Sequence, residues 1–182
     1  MIFQETGLKG CFVIKCNSYA DIRGTFNKYY DLNEFSNHKL AFDIKQVNHS
    51  INLFRGTFRG LHYQNYPYNE SKLIRCIKGA VLDFAVDLRK DSSTFLKYFS
   101  LELTEENCLM VLIPKGFAHG FITLKDKSEL LYLHSGEYNI DADSGIRYND
   151  PKINLKLPAI EIQSISEKDN NLPYIDNNFI GL

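Results

Sequence analysis

Apolar and polar residues alternate most clearly over residues 81–88. Leu82, Phe84, Val86 and Leu88 share one face there, and Asp83, Ala85 and Asp87 share the other. A period of two marks a β-strand. Shorter runs of the same texture predict strands over 11–15, 25–30, 42–48, 72–77, 95–103, 108–113, 120–124 and 129–135. In the third of these, alternation puts Gln46 and Asn48 on one face. Residues 54–64 read as one strand interrupted by Gly60. Turn residues separate the runs, at Asp21-Ile22-Arg23-Gly24, at Lys78-Gly79, and over 65–69, 89–93, 104–107 and 114–119. Only two short helices are predicted. One opens at Asp31, with Glu34 at capping-box spacing, and ends near Asn37; the other opens at Ser166.

Many short strands spaced near ten residues apart, with no long helix, predict an all-β fold. A jelly roll or related small barrel fits, with an interior able to hold one small ligand. The 182 residues suit a single domain, 1–182, with a real core. Hydrophobic residues at 44% and aromatics at 13% exclude a disordered chain. A net charge of -1 gives no electrostatic footprint for nucleic acid or for an anionic membrane, so any basic patch is local and serves a small anion. The first ten residues lack the cationic and apolar regions of a signal peptide, and an apolar run such as 109–113 is far too short to span a bilayer. Cys11, Cys16, Cys76 and Cys108 form no CxxC pair. They predict reduced, buried thiols of a cytoplasmic protein rather than a zinc site or disulfide frame.

The densest chemistry lies in Arg59-Gly60-Leu61-His62-Tyr63-Gln64, followed by Lys72 and Arg75. Histidine, with an unperturbed pKa of roughly 6.5, accepts a proton at neutral pH. A lone strand histidine more often satisfies a structural hydrogen bond, so the case for His62 rests on its companions. A metal centre is not expected. His62 is followed by Tyr63-Gln64 where a metal-binding jelly roll has a second histidine, and although His119 sits in a Pro-x-Gly-x-x-His segment, two histidines fall short of a three-ligand site. Arg23, Arg59, Lys72 and Lys168 are each ordinary surface charges when taken singly. Together they can bind a pyrophosphate, and Gln46 and Asn48 add amides able to read a base or sugar. Tyr132 shares a face with Leu130 and His134, which allows either core packing or a general acid. Asp169 either completes a helix N-terminal box with Ser166 or supports the far nitrogen of His62. Strict alternation puts Arg59 and His62 on opposite faces, unless Gly60 marks a bulge that re-aims one of them.

Taken in order, these segments resemble the dTDP-4-dehydrorhamnose 3,5-epimerase family. The match is carried by Arg23-Gly24-x-Phe26, Arg59 to Gln64, Lys72-Leu73-x-Arg75, Asp83-x-Ala85-Val86-Asp87-Leu88-Arg89, Pro114-x-Gly116-Phe117-Ala118-His119-Gly120-Phe121, Tyr132, Gly145-Ile146, Asn149-Asp150-Pro151 and Ser166 to Asp169. The resemblance implies a cupin-type jelly-roll homodimer that acts, without cofactor, on a nucleotide-linked 4-keto-6-deoxy sugar. It assigns His62 as base, Asp169 as its carboxylate partner, Lys72 as the cation near the keto oxygen and Tyr132 as proton donor. Arg23, Gln46, Asn48, Arg59, His119 and Lys168 match ligand-contact positions, and the segment bearing Arg23 is expected to reach the partner's site. Tyr138, in the loop beyond the Tyr132 strand, is expected to lean over the pocket mouth and help seat the sugar ring.

Five positions depart from the family pattern. Lys28 and Asp143 stand where glutamate is usual in the substrate-binding set, Val47 replaces an aspartate, and Leu133-His134 replaces Lys-Thr. The expected reaction is therefore 3,5-epimerisation of dTDP-4-dehydro-6-deoxyglucose to dTDP-4-dehydrorhamnose, serving surface polysaccharide synthesis. The alternatives are a single-centre epimerase, an enzyme for a GDP- or CDP-linked sugar, and a non-catalytic sugar-nucleotide-binding jelly roll.

Overall fold

Val81 and Ala85 point into one apolar cluster and Phe84 and Val86 into another, so the alternation across 81–88 buries both faces of a single strand. That arrangement repeats through the computed structural model, which describes all 182 residues. The strands are β1 (Ile2–Glu5), β2 (Phe12–Lys15), β3 (Asn17–Asp21), β4 (Gly24–Lys28), β5 (Gln46–Asn52), β6 (Thr57–Gln64) and β7 (Lys72–Lys78). They continue as β8 (Ala80–Asp87), β9 (Tyr98–Thr104), β10 (Leu109–Ile113), β11 (Phe117–Thr123), β12 (Ser128–His134), β13 (Asp143–Gly145) and β14 (Ser164–Ile165). The helices are α1 (Leu32–Asn37) and α2 (Glu167–Asn170).

One sheet runs β1-β2-β10-β7-β12-β5 and the other β13-β6-β11-β8-β9, with β14 parallel to β6. The two pack face to face as a jelly roll. Ile74, Val111 and Leu130 of the first sheet meet Val81, Ala85 and Phe121 of the second. The outer face of the first sheet is closed by Phe35 of α1 against Ile14, Met110 and Leu112; that of the second is closed by Ile146, Ile153 and Ile175 of the C-terminal segment. This explains why β10 reads Leu-Met-Val-Leu-Ile without alternation. Val111 and Ile113 enter the inner core while Met110 and Leu112 enter the outer one. No helix is long and apolar enough to cross a membrane. All four cysteines are free, and burial pushes the Cys11 thiol up to about 12 and the Cys76 thiol up to about 11.

Local departures from the sequence pattern have local causes. Asp31 caps α1, accepting from the Asn33 and Glu34 N–H groups at 3.1 Å, but Glu34 does not return the bond. Its carboxylate takes the chain's N-terminal amine and Asn17 instead, which helps to tie down β1, a strand the pattern does not predict. The fifth strand begins at Gln46 rather than 42, because Phe42 packs on Tyr30 and its carbonyl accepts from the Tyr30 hydroxyl at 2.9 Å. The ninth begins at Tyr98 rather than 95. Residues 89–94 instead fold around the buried Asp87 carboxylate, which accepts from Arg89, Ser92 and Thr94 and is held at a pKa of about 2, its burial outweighed by those bonds. The eleventh begins at Phe117, so His119 lies on a strand and not in the loop expected over 114–119.

The break at Gly60 is a β-bulge. Arg59 pairs with Phe121 and His62 with His119, so three steps along β6 match two along β11. Gly60 has a φ of +120°, and a Cβ there would lie 2.5 Å from the Gly120 Cα and 2.7 Å from the His119 carbonyl oxygen. Only glycine fits. The extra residue re-aims the strand, and Arg59 and His62 both line the same cavity.

Candidate active site

A cavity of about 510 Å³ opens at one end of the roll between the two sheets. That volume is within the range of small-ligand sites. His62 enters it from β6, below the bulge. Its Nε2 lies 2.8 Å from Asp169 Oδ1, and Asp169 Oδ2 accepts the Gly60 N–H at 2.9 Å. The carboxylate is 4% exposed. Burial works to raise its pKa, but the His62 bond and charge, with the Gly60 and Ser166 bonds, hold it below the usual carboxylate range. Ser166 Oγ caps α2 by accepting the Asp169 N–H at 3.0 Å. Capping is therefore done by Ser166, and the Asp169 carboxylate is left to the histidine. An ionised carboxylate can only accept, so Nε2 carries the proton and the imidazole lone pair sits on Nδ1.

A second pair lies across the strand. His119 Nε2 is 2.7 Å from Asp83 Oδ2, and both side chains are buried. Tyr132 comes from β12 in the opposite sheet. Its hydroxyl is 3.0 Å from Ser50 Oγ, and burial raises its pKa, so the phenol keeps its proton at neutral pH. Lys72, at the start of β7, is 12% exposed with Nζ 3.4 Å from Glu70 Oε1. The Arg59 Nε donates to Asn52 Oδ1 at 2.8 Å. Together these place a base, an ammonium and a phenol around one cavity, with its two walls supplied by different sheets.

The family model for dTDP-4-dehydrorhamnose 3,5-epimerase matches residues 5–177. The dTDP-4-dehydrorhamnose 3,5-epimerase of Sinorhizobium fredii is 36% identical over 173 residues, covering 95% of this chain and 89% of its own. The chain belongs to the dTDP-4-dehydrorhamnose 3,5-epimerase family. The crystal structure of the Elizabethkingia anophelis dTDP-4-dehydrorhamnose 3,5-epimerase superposes with a TM-score of 0.91 at 34% identity, covering 98% of both chains. ChmJ of Streptomyces bikiniensis, a 3'-monoepimerase solved with dTDP-quinovose, gives a TM-score of 0.86 at 27% identity and covers 93% of this chain and 85% of its own. The fold this epimerase-family chain shares with them is a jelly roll, as its strands predict, and of the cupin type that the resemblance implies.

Of the residues singled out in the sequence, the structure brings His62, Lys72, Tyr132, Asp169, Arg59, His119 and Asn48 to the cavity wall. Gln46, Tyr138, Asp143 and Lys168 gather at its rim. Gln46 bonds Asn48 at 3.0 Å and accepts the Tyr138 N–H at 3.2 Å, while Asp143 accepts from the Tyr138 hydroxyl at 3.0 Å and pairs with Lys168. Two residues are not brought there by this chain's own fold. Arg23 sits at the tip of the β3–β4 hairpin, paired with Asp21, and Lys28 is paired at 2.9 Å with the α1 cap Asp31. Arg75, beside Lys72 in sequence, points to the other face of β7 and donates to the Thr104 and Glu105 carbonyls. Val47, at the position of the family's aspartate, is exposed on the outer side of β5.

Sequence reasoning missed the partners of these groups. Ser50 and Asn52 continue the inward row of β5 begun by Gln46 and Asn48, and a strand carried to residue 52 would have named them. Each polar residue of that row holds a different part of the site: Gln46 the rim, Asn48 His134, Ser50 Tyr132, and Asn52 Arg59. Glu70 lies in a loop, where no periodicity marks it.

Proposed function

We propose that this chain catalyses the 3,5-epimerisation of dTDP-4-dehydro-6-deoxyglucose to dTDP-4-dehydrorhamnose by proton transfer alone. The observation that carries the reading is His62, backed by the buried Asp169 carboxylate and open to the same cavity as Lys72 and Tyr132. A C–H bond next to a ketone is acidic because its electron pair moves onto the carbonyl oxygen as an enolate. C3 and C5 both flank the C4 ketone, so one set of groups can serve both centres. His62 Nδ1 takes the proton, and Asp169 supports the imidazolium that forms. The Lys72 ammonium stabilises the enolate oxygen, usually the largest single contribution. The Tyr132 phenol gives its proton to the opposite face of the carbon. The tyrosinate then regains a proton as the imidazolium loses one, and the second centre follows. Arg59 and Lys168 supply charge for the diphosphate, and Gln46, Asn48, His119, Tyr138 and Asp143 contact the substrate.

The proposal includes a homodimer in the cytoplasm. The β3–β4 hairpin, in a sheet of its own, exposes Tyr19, Ile22 and Phe26, and β5 leaves an open sheet edge with Val47 and Ile51 exposed. Such surfaces call for a partner. A hairpin reaching across would carry Arg23 and Lys28 to the other subunit's cavity. Four free thiols fit a reducing compartment.

The substrate assignment is tested by offering dTDP-, GDP- and CDP-linked 4-keto-6-deoxy sugars in one mixture. The dTDP sugar is expected to be converted first, and preferential turnover of another nucleotide would refute the assignment. Asp169→Asn keeps the shape of the side chain but removes its charge. Turnover is expected to fall about 10²-fold or more, with little change in melting temperature because Ser166 provides the cap. A residue that only capped a helix would instead cost about 1 kcal/mol of stability and leave the rate alone.

A further inference from the structure

Glu70 and His134 have no part in the reaction as assigned, yet both are nearly buried beside it, 7% and 12% exposed at the side chain. Glu70 Oε1 lies 3.4 Å from Lys72 Nζ, and Oε2 lies 3.0 Å from His134 Nδ1. On the other side of the ring, His134 Nε2 is 3.3 Å from Asn48 Nδ2, and Asn48 Oδ1 accepts from Gln46 Nε2 at 3.0 Å. The donors can be assigned in only one consistent way. Gln46 donates to Asn48, Asn48 to His134 and His134 through Nδ1–H to Glu70, whose other oxygen forms an ion pair with Lys72. The line of bonds runs from Gln46 to the carboxylate that pairs with the Lys72 ammonium.

We infer that Glu70 and His134 are positioning residues that fix the Lys72 ammonium for the enolate oxygen. The inference rests on the role given to Lys72 above. The flexible four-carbon stem of a lysine holds a point charge only as well as its surroundings do, and Glu70 is the carboxylate within reach of this one. One neighbour of Glu70 donates to it and the other is a cation, so the position needs an anionic acceptor. Glutamine cannot replace it, because its amide N–H₂ would face either the ammonium or the imidazole N–H. His134 stands where the family pattern commonly has threonine.

Steady-state kinetics on the full-length protein with dTDP-4-dehydro-6-deoxyglucose test the inference. Glu70→Gln is expected to lower kcat about 10²-fold, the scale of a small misplacement of a catalytic group, with KM within about twofold. His134→Leu is expected to lower kcat about tenfold, and His134→Gln, which can still donate to Glu70, to recover most of that loss. If His134 acts through Glu70, adding His134→Leu to Glu70→Gln costs little more. A second readout does not depend on turnover. Acetylation of Lys72 by N-hydroxysuccinimide acetate, followed by peptide mass spectrometry, is expected to speed up several-fold in Glu70→Gln. Wild-type kcat in Glu70→Gln, strictly additive losses, a lower melting temperature with kcat unchanged, or an unchanged labelling rate would each overturn the inference. A wild-type protein that turns over no sugar nucleotide would refute the proposed reaction instead, while the labelling rates would still decide whether Glu70 holds Lys72.

Discussion

With His62 replaced by alanine, uptake of solvent deuterium at C3 and C5 of the substrate is expected to fall about 10³-fold or more, in line with removal of a general base. The affinity for dTDP should change little, because the charges assigned to the diphosphate, Arg59 and Lys168, are retained. The geometry supplies one serious competitor. His119 is directly opposite His62 in the β6–β11 register and has its own buried carboxylate, Asp83. The two differ in access. His62 keeps a third of its side chain exposed to the cavity, whereas His119 keeps 7%. Deuterium exchange monitored by NMR on His62→Ala and His119→Asn separates them. Persistent exchange in His62→Ala would move the base to His119.

The second large effect concerns Tyr132. In Tyr132→Phe the base and the ammonium remain, so the enolate still forms and the α-protons still exchange. Without the phenol, the proton returns from the face it left. The expected result is exchange with inversion reduced at least about 10²-fold, seen as deuterium uptake into unchanged substrate. Ser50 loses its hydroxyl partner in this variant, for a stability loss of about 1 kcal/mol. A residue that served only for packing would show that small loss and a normal rate of inversion. Wild-type inversion in Tyr132→Phe would remove it from the mechanism.

Much of this site is legible in the sequence because strands make side-chain direction predictable. Alternation alone groups Tyr132 with His134 on one face of β12, and Gln46 with Asn48 on one face of β5; the structure makes both of these the inner face. The conflict between Arg59 and His62 was legible too. Two residues three apart cannot share a face of a regular strand, and the glycine between them marked where the ladder breaks. Asp169 was visible as one of two options, and its 107-residue separation from His62 is why sequence could not choose between them. What stayed hidden lies where periodicity stops. Glu70 approaches Lys72 from a loop. Residues 42–45 and 95–97 are apolar enough to read as strand, but their side chains and backbone are claimed by Tyr30, Phe179 and the Asp87-centred loop. The resemblance assigns Arg23 and Lys28 to the substrate, Arg23 at the partner's site, and within one chain the two pair with neighbouring aspartates.

One base and one acid on opposite sides of the cavity are expected to invert both carbons next to the ketone. This is tested most directly by incubating the wild-type protein with dTDP-4-dehydro-6-deoxyglucose in deuterated water and following each ring proton by NMR. The account predicts loss of the C3 and C5 proton signals, with appearance of a product inverted and deuterated at both carbons. Exchange confined to one carbon, or product formed with its original C3 and C5 protons retained, would contradict it.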